Sequence, residues 1–201
     1  MKVKDIILRA LVFAGRDDVA KTIEDREVAD GEESEEVAEE EVQENDSEIN
    51  EAVKTALLCF NAVEDELARC YLPIAKTEKF SSDGEIEFAR FSERPIKILS
   101  VKNAAGECSF ETLPEKLKTC AGDVCIKYNF APRPKGLDDE SVYSEATASI
   151  SLIAAGTASE FCLISGDAGA ANVWETKYRR EIDFIQRKKY SDAKIPPRRW
   201  V

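Results

Sequence analysis

A chain of 201 residues with no histidine and a net charge of −12 is long enough to bury a real core, as one domain or as a helical body with a smaller inserted module. It lacks the commonest general base and metal ligand, and none of its apolar runs approaches the roughly 20 residues that span a bilayer. The charge is uneven: 15 acidic residues and one basic residue place about −14 between Glu24 and Glu51, whereas nine basic and three acidic residues place about +6 from Lys177 onward.

Residues 2–14 read as a first helix, because Val3, Ile6, Ile7, Ala10, Leu11 and Ala14 follow the 3.6-residue period. Gly15 suits its C-terminus, and Asp17 or Asp18 suits the cap of a short second turn through Ile23. Residues 24–46 are acidic and of low complexity. Beyond alanine their only apolar side chains are Val28, Val37 and Val42, too few to offset the entropy of ordering them, so an exposed loop is expected with transient helix in 35–43. No D-x-D-x-D-G loop turns these carboxylates into a calcium site.

Residues 48–71 predict the clearest helix, with N-cap candidates at Asn45, Asp46 and Ser47. Ile49, Val53, Ala56, Phe60, Val63, Leu67 and Cys70 form one stripe, and Pro73 ends it. The period then changes. Strands are expected at 85–91, 96–101, 108–112 and 124–128, with turns at Ser82–Gly84, Asn103–Gly106 and Ala121–Asp123. Pro132 and Pro134 close this antiparallel module.

From Ser141 to Lys189 a helix pair is expected, turning at Ser165-Gly166-Asp167. Val142, Ala146, Ile150, Ile153, Thr157, Phe161 and Ile164 share one face of the first arm. That arm also carries Ala148, Ser149, Ala154, Ala155, Gly156, Ala158 and Ser159, small residues that allow close helix approach. Trp174, Tyr178, Ile182 and Ile185 on the second arm fill the space they leave. A helical hairpin core accounts for this pattern better than a ligand site does.

The fold class expected is α+β: a helical bundle of a long helix and a C-terminal hairpin, a small inserted antiparallel β module and an extended C-terminal tail. The expected division is 1–73 (N-terminal helices with the acidic loop 24–46), 74–134 (the β module), 135–190 (the helix pair) and 191–201 (the tail). In the tail, Ile195, Pro196, Pro197, Arg198, Arg199 and Trp200 read as a partner-docking segment, with disorder as the competing reading. Arginine and tryptophan are enriched at interface hot spots, and the prolines lower the entropy lost on docking.

Cys59, Cys70, Cys108, Cys120, Cys125 and Cys162 include no C-x-x-C pair. Buried free thiols are expected, ahead of a disulfide or a metal site. Ile6–Ala14, interrupted by Arg9, has no following cleavage pattern, so no signal peptide is expected; the protein reads as soluble and made in a reducing cytoplasm. No G-x-S-x-G, glycine-rich phosphate loop, H-E-x-x-H or cysteine–histidine arrangement is present, so no catalytic residue, metal site or cofactor is assigned and no enzyme is expected.

The order of elements resembles the head–tail adaptor (connector) proteins of tailed bacteriophages, including the gatekeeper or tail-tube A group. "DIILRALVFAG" resembles the family's first helix, closing on a glycine, and "INEAVKTALLCFNAVEDELA" its long second helix. "VCIKYNFAPRPKGLDDES" resembles its exit from the sheet, a strand with a tyrosine followed by prolines and acidic residues. The small-residue helix, "WETKYRREIDFIQRKK" and a basic tail complete the order. The likeness lies in layout, and the acidic stretch 24–46 has no counterpart in it. It implies a non-enzymatic virion protein made in the host cytoplasm: a homo-oligomeric ring, commonly of about twelve copies, in the neck between capsid and tail. Its implied partners are the portal protein, docked by the C-terminal tail, a tail or neck protein, and packaged DNA touched transiently and without sequence preference; no membrane is implied. Two other readings stand beside it. One is a nucleic-acid-binding regulator using Arg179, Arg180, Arg187, Lys188 and Lys189. The other is a non-enzymatic scaffold that binds one protein through the tail.

Overall fold

The computed structural model describes the backbone of residues 1–29 and 39–191, and side chains within 1–23 and 47–187. The fold is mixed α+β, with a bundle of helices and antiparallel sheets. The chain divides into two compact units: Met1–Val63 together with the chain from Lys135 onward, and Glu64–Pro134.

In the helical unit, α1 (Val3–Phe13) buries Val3, Ile6, Ile7, Ala10 and Leu11, the residues its period selects. Gly15 ends it with φ 75°, and Arg16 N–H reaches back to the Leu11 carbonyl at 2.9 Å. α2 (Asp17–Ala29) buries Val19 and Ala20 and extends past the expected stop at Ile23. Asp17 and Asp18 lie in its first turn, where negative charge suits the helix dipole. α3 (Glu39–Glu66) begins well before Asn45, Asp46 and Ser47, which are interior to it and not caps. The backbone at both ends of the expected acidic loop is therefore helical. The part of that loop within 30–38 lies outside the described residues.

α4 (Ile150–Ile164) and α5 (Ala168–Ser191) form the expected hairpin. Ser159 Oγ donates to the Ala171 carbonyl at 3.0 Å near the turn, and Ser149 Oγ to Glu181 Oε2 at 3.2 Å at the far end, so the two helices run antiparallel. The turn contains Gly166 at φ 85°, and Asp167 Oδ1 accepts from Ala170 N–H at 2.9 Å. The first arm is shorter than expected. Residues 141–149 are turns and bends, and the helix is capped by Ser149, whose Oγ accepts from Leu152 N–H at 3.0 Å. At the start of this stretch Ser141 N–H bonds the Met1 carbonyl at 2.9 Å, in the same run of contacts that ties Val3 N–H to Asp139 and Lys4 N–H to Leu137, and within it Thr147 and Ala148 N–H bond the Ser144 carbonyl in a local turn. Asn61 holds the start of this return segment, donating to the Lys135 carbonyl at 3.1 Å and accepting from Lys135 N–H at 2.6 Å.

Gly156 marks a close approach between helices. A Cβ placed there would stand 2.9 Å from Tyr178 Cε2 on α5 and 2.9 Å from Val63 Cγ1 on α3.

The sheet unit opens with a π-helical turn, Leu67–Tyr71, that continues the last turn of α3 and replaces the expected regular helix to 71. The strands are β1 (Ala75–Ser82), β2 (Glu85–Glu87), β3 (Arg94–Asn103), β4 (Gly106–Glu107), β5 (Glu111–Thr112), β6 (Lys116–Lys118) and β7 (Gly122–Ala131). They form a four-stranded sheet ordered β1-β7-β3-β4 and a three-stranded sheet ordered β2-β6-β5, antiparallel throughout. The two enclose one core of Ile86, Phe91, Ile98, Val101, Leu117, Val124, Ile126 and Tyr128. Phe91 lies at its centre, with ring centroids 4.6 Å from Phe80, 5.8 Å from Phe88 and 4.9 Å from Tyr128.

Three strands are additional to those expected, β1, β4 and β6, and the expected strand 108–112 is reduced to β5. The expected strand 85–91 stops at Glu87, because Phe88–Arg90 form a 3₁₀ turn held by Phe88 N–H on the Glu115 carbonyl at 2.9 Å. The expectation of six buried thiols is also corrected. Cys108 and Cys120 form a disulfide with Cα atoms 6.3 Å apart, because the residue after β4 and the loop between β6 and β7 meet at the edge of the core. Cys59 and Cys162 are buried free thiols, Cys125 is half-buried, and Cys70 is exposed on the π-helical turn.

Candidate functional site

The expected docking residues Ile195, Pro196, Pro197, Arg198, Arg199 and Trp200 lie outside the described residues. The helix that delivers them is described. Ala171, Tyr178 and Ile182 bury one face of α5, and Trp174 and Ile185 are half-buried beside them. Trp174 stacks on Phe13 of α1 at 4.2 Å between ring centroids with planes 7° apart, and Lys177 Nζ stands 4.5 Å from the Phe13 ring. The opposite face is spaced at seven, four and three residues: Val173, Arg180, Phe184 and Arg187, all exposed. Val173 is 64% and Phe184 70% exposed, values far from those of core side chains.

Leu58 on α3 and Leu163 and Ile164 on α4 are exposed to a similar degree. Ile164 lies beside an open hollow of about 360 Å³ lined by Arg16, Glu48, Glu51, Thr55 and Phe161. Among the described residues, no three histidine, cysteine or acidic side chains are grouped so as to hold a metal ion. Burial pushes the Cys59 thiol up to about 11 and raises Cys162 as well, so neither is a ready thiolate at neutral pH. Among the described residues, no helix is long and apolar enough to cross a membrane.

The sheet unit presents a second surface, which the sequence reading missed. Val124, Ile126 and Tyr128 of β7 face the core, so Cys125 and Lys127 face the other way. Register places Lys79 and Lys102 on either side of Cys125, and Thr77 and Ser100 on either side of Lys127. Lys97 follows, opposite Asn129. The only available signal was the alternation Thr77, Lys79, Ser81 against Lys76, Glu78, Phe80, and it is weak without the register.

On the core side of β1, Glu78 is hydrogen-bonded by Ser92 through both its backbone N–H (3.2 Å) and its hydroxyl. Burial pushes the Glu78 carboxyl up, but the bonds from Ser92, together with Lys76 Nζ at 3.2 Å, outweigh it and hold the group below the usual carboxylate range. The Tyr128 hydroxyl is buried near this pair outside hydrogen-bonding geometry, and burial raises its pKa.

No protein-family model matches the chain, and no curated protein matches it. The functional reading therefore rests on layout and on these two surfaces.

Proposed function

We propose that the chain is a structural, non-enzymatic head–tail adaptor of a tailed bacteriophage virion. In this reading its copies form a ring in the neck, below the portal, that joins capsid to tail and lets DNA pass. The observation that carries the reading is the order of elements. An apolar first helix ends on glycine, a long helix leads into an inserted antiparallel module, and a small-residue hairpin leads to a basic terminus. A ring also needs lateral faces, and the exposed Leu58, Leu163, Ile164, Val173 and Phe184 of the helical unit supply apolar contact area for neighbouring copies. The tail 195–200 would then dock on the portal, where Arg198 and Arg199 suit bidentate pairing with carboxylates.

Native mass measurement and negative-stain images of the purified chain, alone and with portal rings, test this reading. Closed rings that bind portal, and lose portal but not ring closure on truncation after Lys194, are expected. A monomer at every concentration and in the presence of portal overturns it.

A further inference from the structure

The geometry points to the outer face of the four-stranded sheet as a platform for the phosphate backbone of duplex nucleic acid. This inference stands on the sheet unit alone and does not need the ring.

Four lysines share the face: Lys79 on β1, Lys97 and Lys102 on β3, and Lys127 on β7. Cross-strand partners in an antiparallel sheet point the same way, so the register alone puts them together. All four are exposed. Only Lys102 has a carboxylate partner, Glu107 at 3.6 Å, a solvent-exposed pair of little strength. Lys79, Lys97 and Lys127 make no ion pair and no side-chain hydrogen bond among the described residues. In a chain with 40 acidic and 28 basic residues, three unpaired lysines on one sheet face stand out. Asp123, opposite Ser81 at the end of β7, is the one other acid in these rows.

The charge of the whole chain does not argue against an anionic partner. The stretch Glu24–Glu51 carries the excess, while residues 64–134 hold eleven basic and twelve acidic side chains, a net of −1. Within this unit the acids Glu85, Glu87 and Glu111 belong to the smaller sheet. The charge is thus divided between faces.

The chemistry of the face favours phosphate over a folded protein partner. Thr77, Ser81, Ser100 and Asn129 stand among the lysines, hydrogen-bond donors suited to phosphate oxygens, and Ile96 and Leu99 are exposed at the two register shifts of β3. It offers no aromatic ring for a base to stack on, which separates it from single-strand platforms. Between Lys79 and Lys102 the surface dips into an open hollow of about 500 Å³ over Cys125, with both lysines at its rim. Strand spacing sets neighbouring lysines roughly 7–10 Å apart, a span of two to three base-pair rises of about 3.4 Å along a duplex axis. Contacts of this kind are electrostatic and indifferent to sequence.

The test uses the full chain and a labelled random-sequence duplex, with binding followed from 50 to 200 mM salt. Each lysine on a phosphate contributes about 0.9 to the slope of log affinity against log salt, so K79Q/K97Q/K127Q should lower the slope by roughly 2.7. K79R/K97R/K127R should keep it, and R180Q/R187Q on α5 should leave it unchanged. Single replacements, each removing about 0.9, keep the test decisive should the triple variant fail to fold. No duplex binding at the lowest salt overturns the proposal. So does an unchanged slope in the lysine variants, a loss confined to the α5 variant, or binding of polyglutamate in place of duplex.

Discussion

The two units build their cores by opposite means. The helical unit does it by leaving side chains out. Ala154, Ala155, Gly156 and Ala158 on α4 are fully buried, and Tyr178 and Val63 close to within contact of the bare Gly156 backbone. The sheet unit does it by putting side chains in. Phe80, Phe88, Phe91 and Tyr128 meet around one point between two small sheets, with a disulfide at the edge. Small residues work between helices because a helix already satisfies its backbone and needs only surfaces that approach closely. Two short sheets have more space between them, and large rings fill it. A given change of side-chain volume should therefore have opposite consequences in the two units.

The sharpest way to break this contrast is to remove volume from the sheet unit. Phe91→Ala should cost about 3–5 kcal/mol and release the unit's slow amides, while exchange in α1, α4 and α5 stays as it was. Equal loosening of both units would mean they fold as one. Reductant should act on one side of the comparison only. Opening the Cys108–Cys120 bridge frees a short loop, separation 12, in the unfolded chain and should cost the sheet unit about 3 kcal/mol in a denaturant titration. A shift in helical unfolding under reductant counts against the division.

Adding volume should hurt the helical unit. Gly156→Val should cost about 2 kcal/mol, since Tyr178 or Val63 must move, and the loss should appear in the far-ultraviolet helical melt. A melting temperature that rises would show that the approach is looser than described. Asn61→Ala removes both bonds to Lys135 and should cost about 1–2 kcal/mol, read by chemical denaturation; an unchanged midpoint would show that the return segment is held elsewhere. The smallest effect is one of pH. The folded pKa of Glu78 lies below its unfolded value of 4.5, so its contribution is fully present above that value and is lost as pH falls through the folded pKa. Glu78→Gln should flatten the acid limb of sheet-unit stability below about pH 4.5 and lower the neutral plateau by the contribution it removes.

The contrast also explains what could be read in advance. The hairpin was readable because Gly166 and Asp167 punctuate it and because small residues opposite a bulky stripe are a pattern within one stretch. Its first arm was over-extended to Ser141 because Val142 and Ala146 fit a helical period, while a local turn on the Ser144 carbonyl and the Ser149 cap start the helix later. β1 was missed because Lys76–Phe80 is polar on both faces, and only its register with β7 makes it a strand. The Cys108–Cys120 pair and the lysine face are likewise products of register. The tail could be singled out by composition, and its residues lie outside those described here.

The bonds that tie Met1, Val3 and Lys4 to residues 137–141 carry a consequence for synthesis. α1 leaves the ribosome before the sheet unit, and the residues that hold its start emerge only after the whole sheet unit has been made. At about 5–20 residues per second that delay is on the order of ten seconds. The sheet unit is continuous in sequence and can close during the wait. Meanwhile Val3, Ile6 and Ile7, later fully buried, are in water and open to a chaperone. A later segment of the nascent chain thus completes the start of α1.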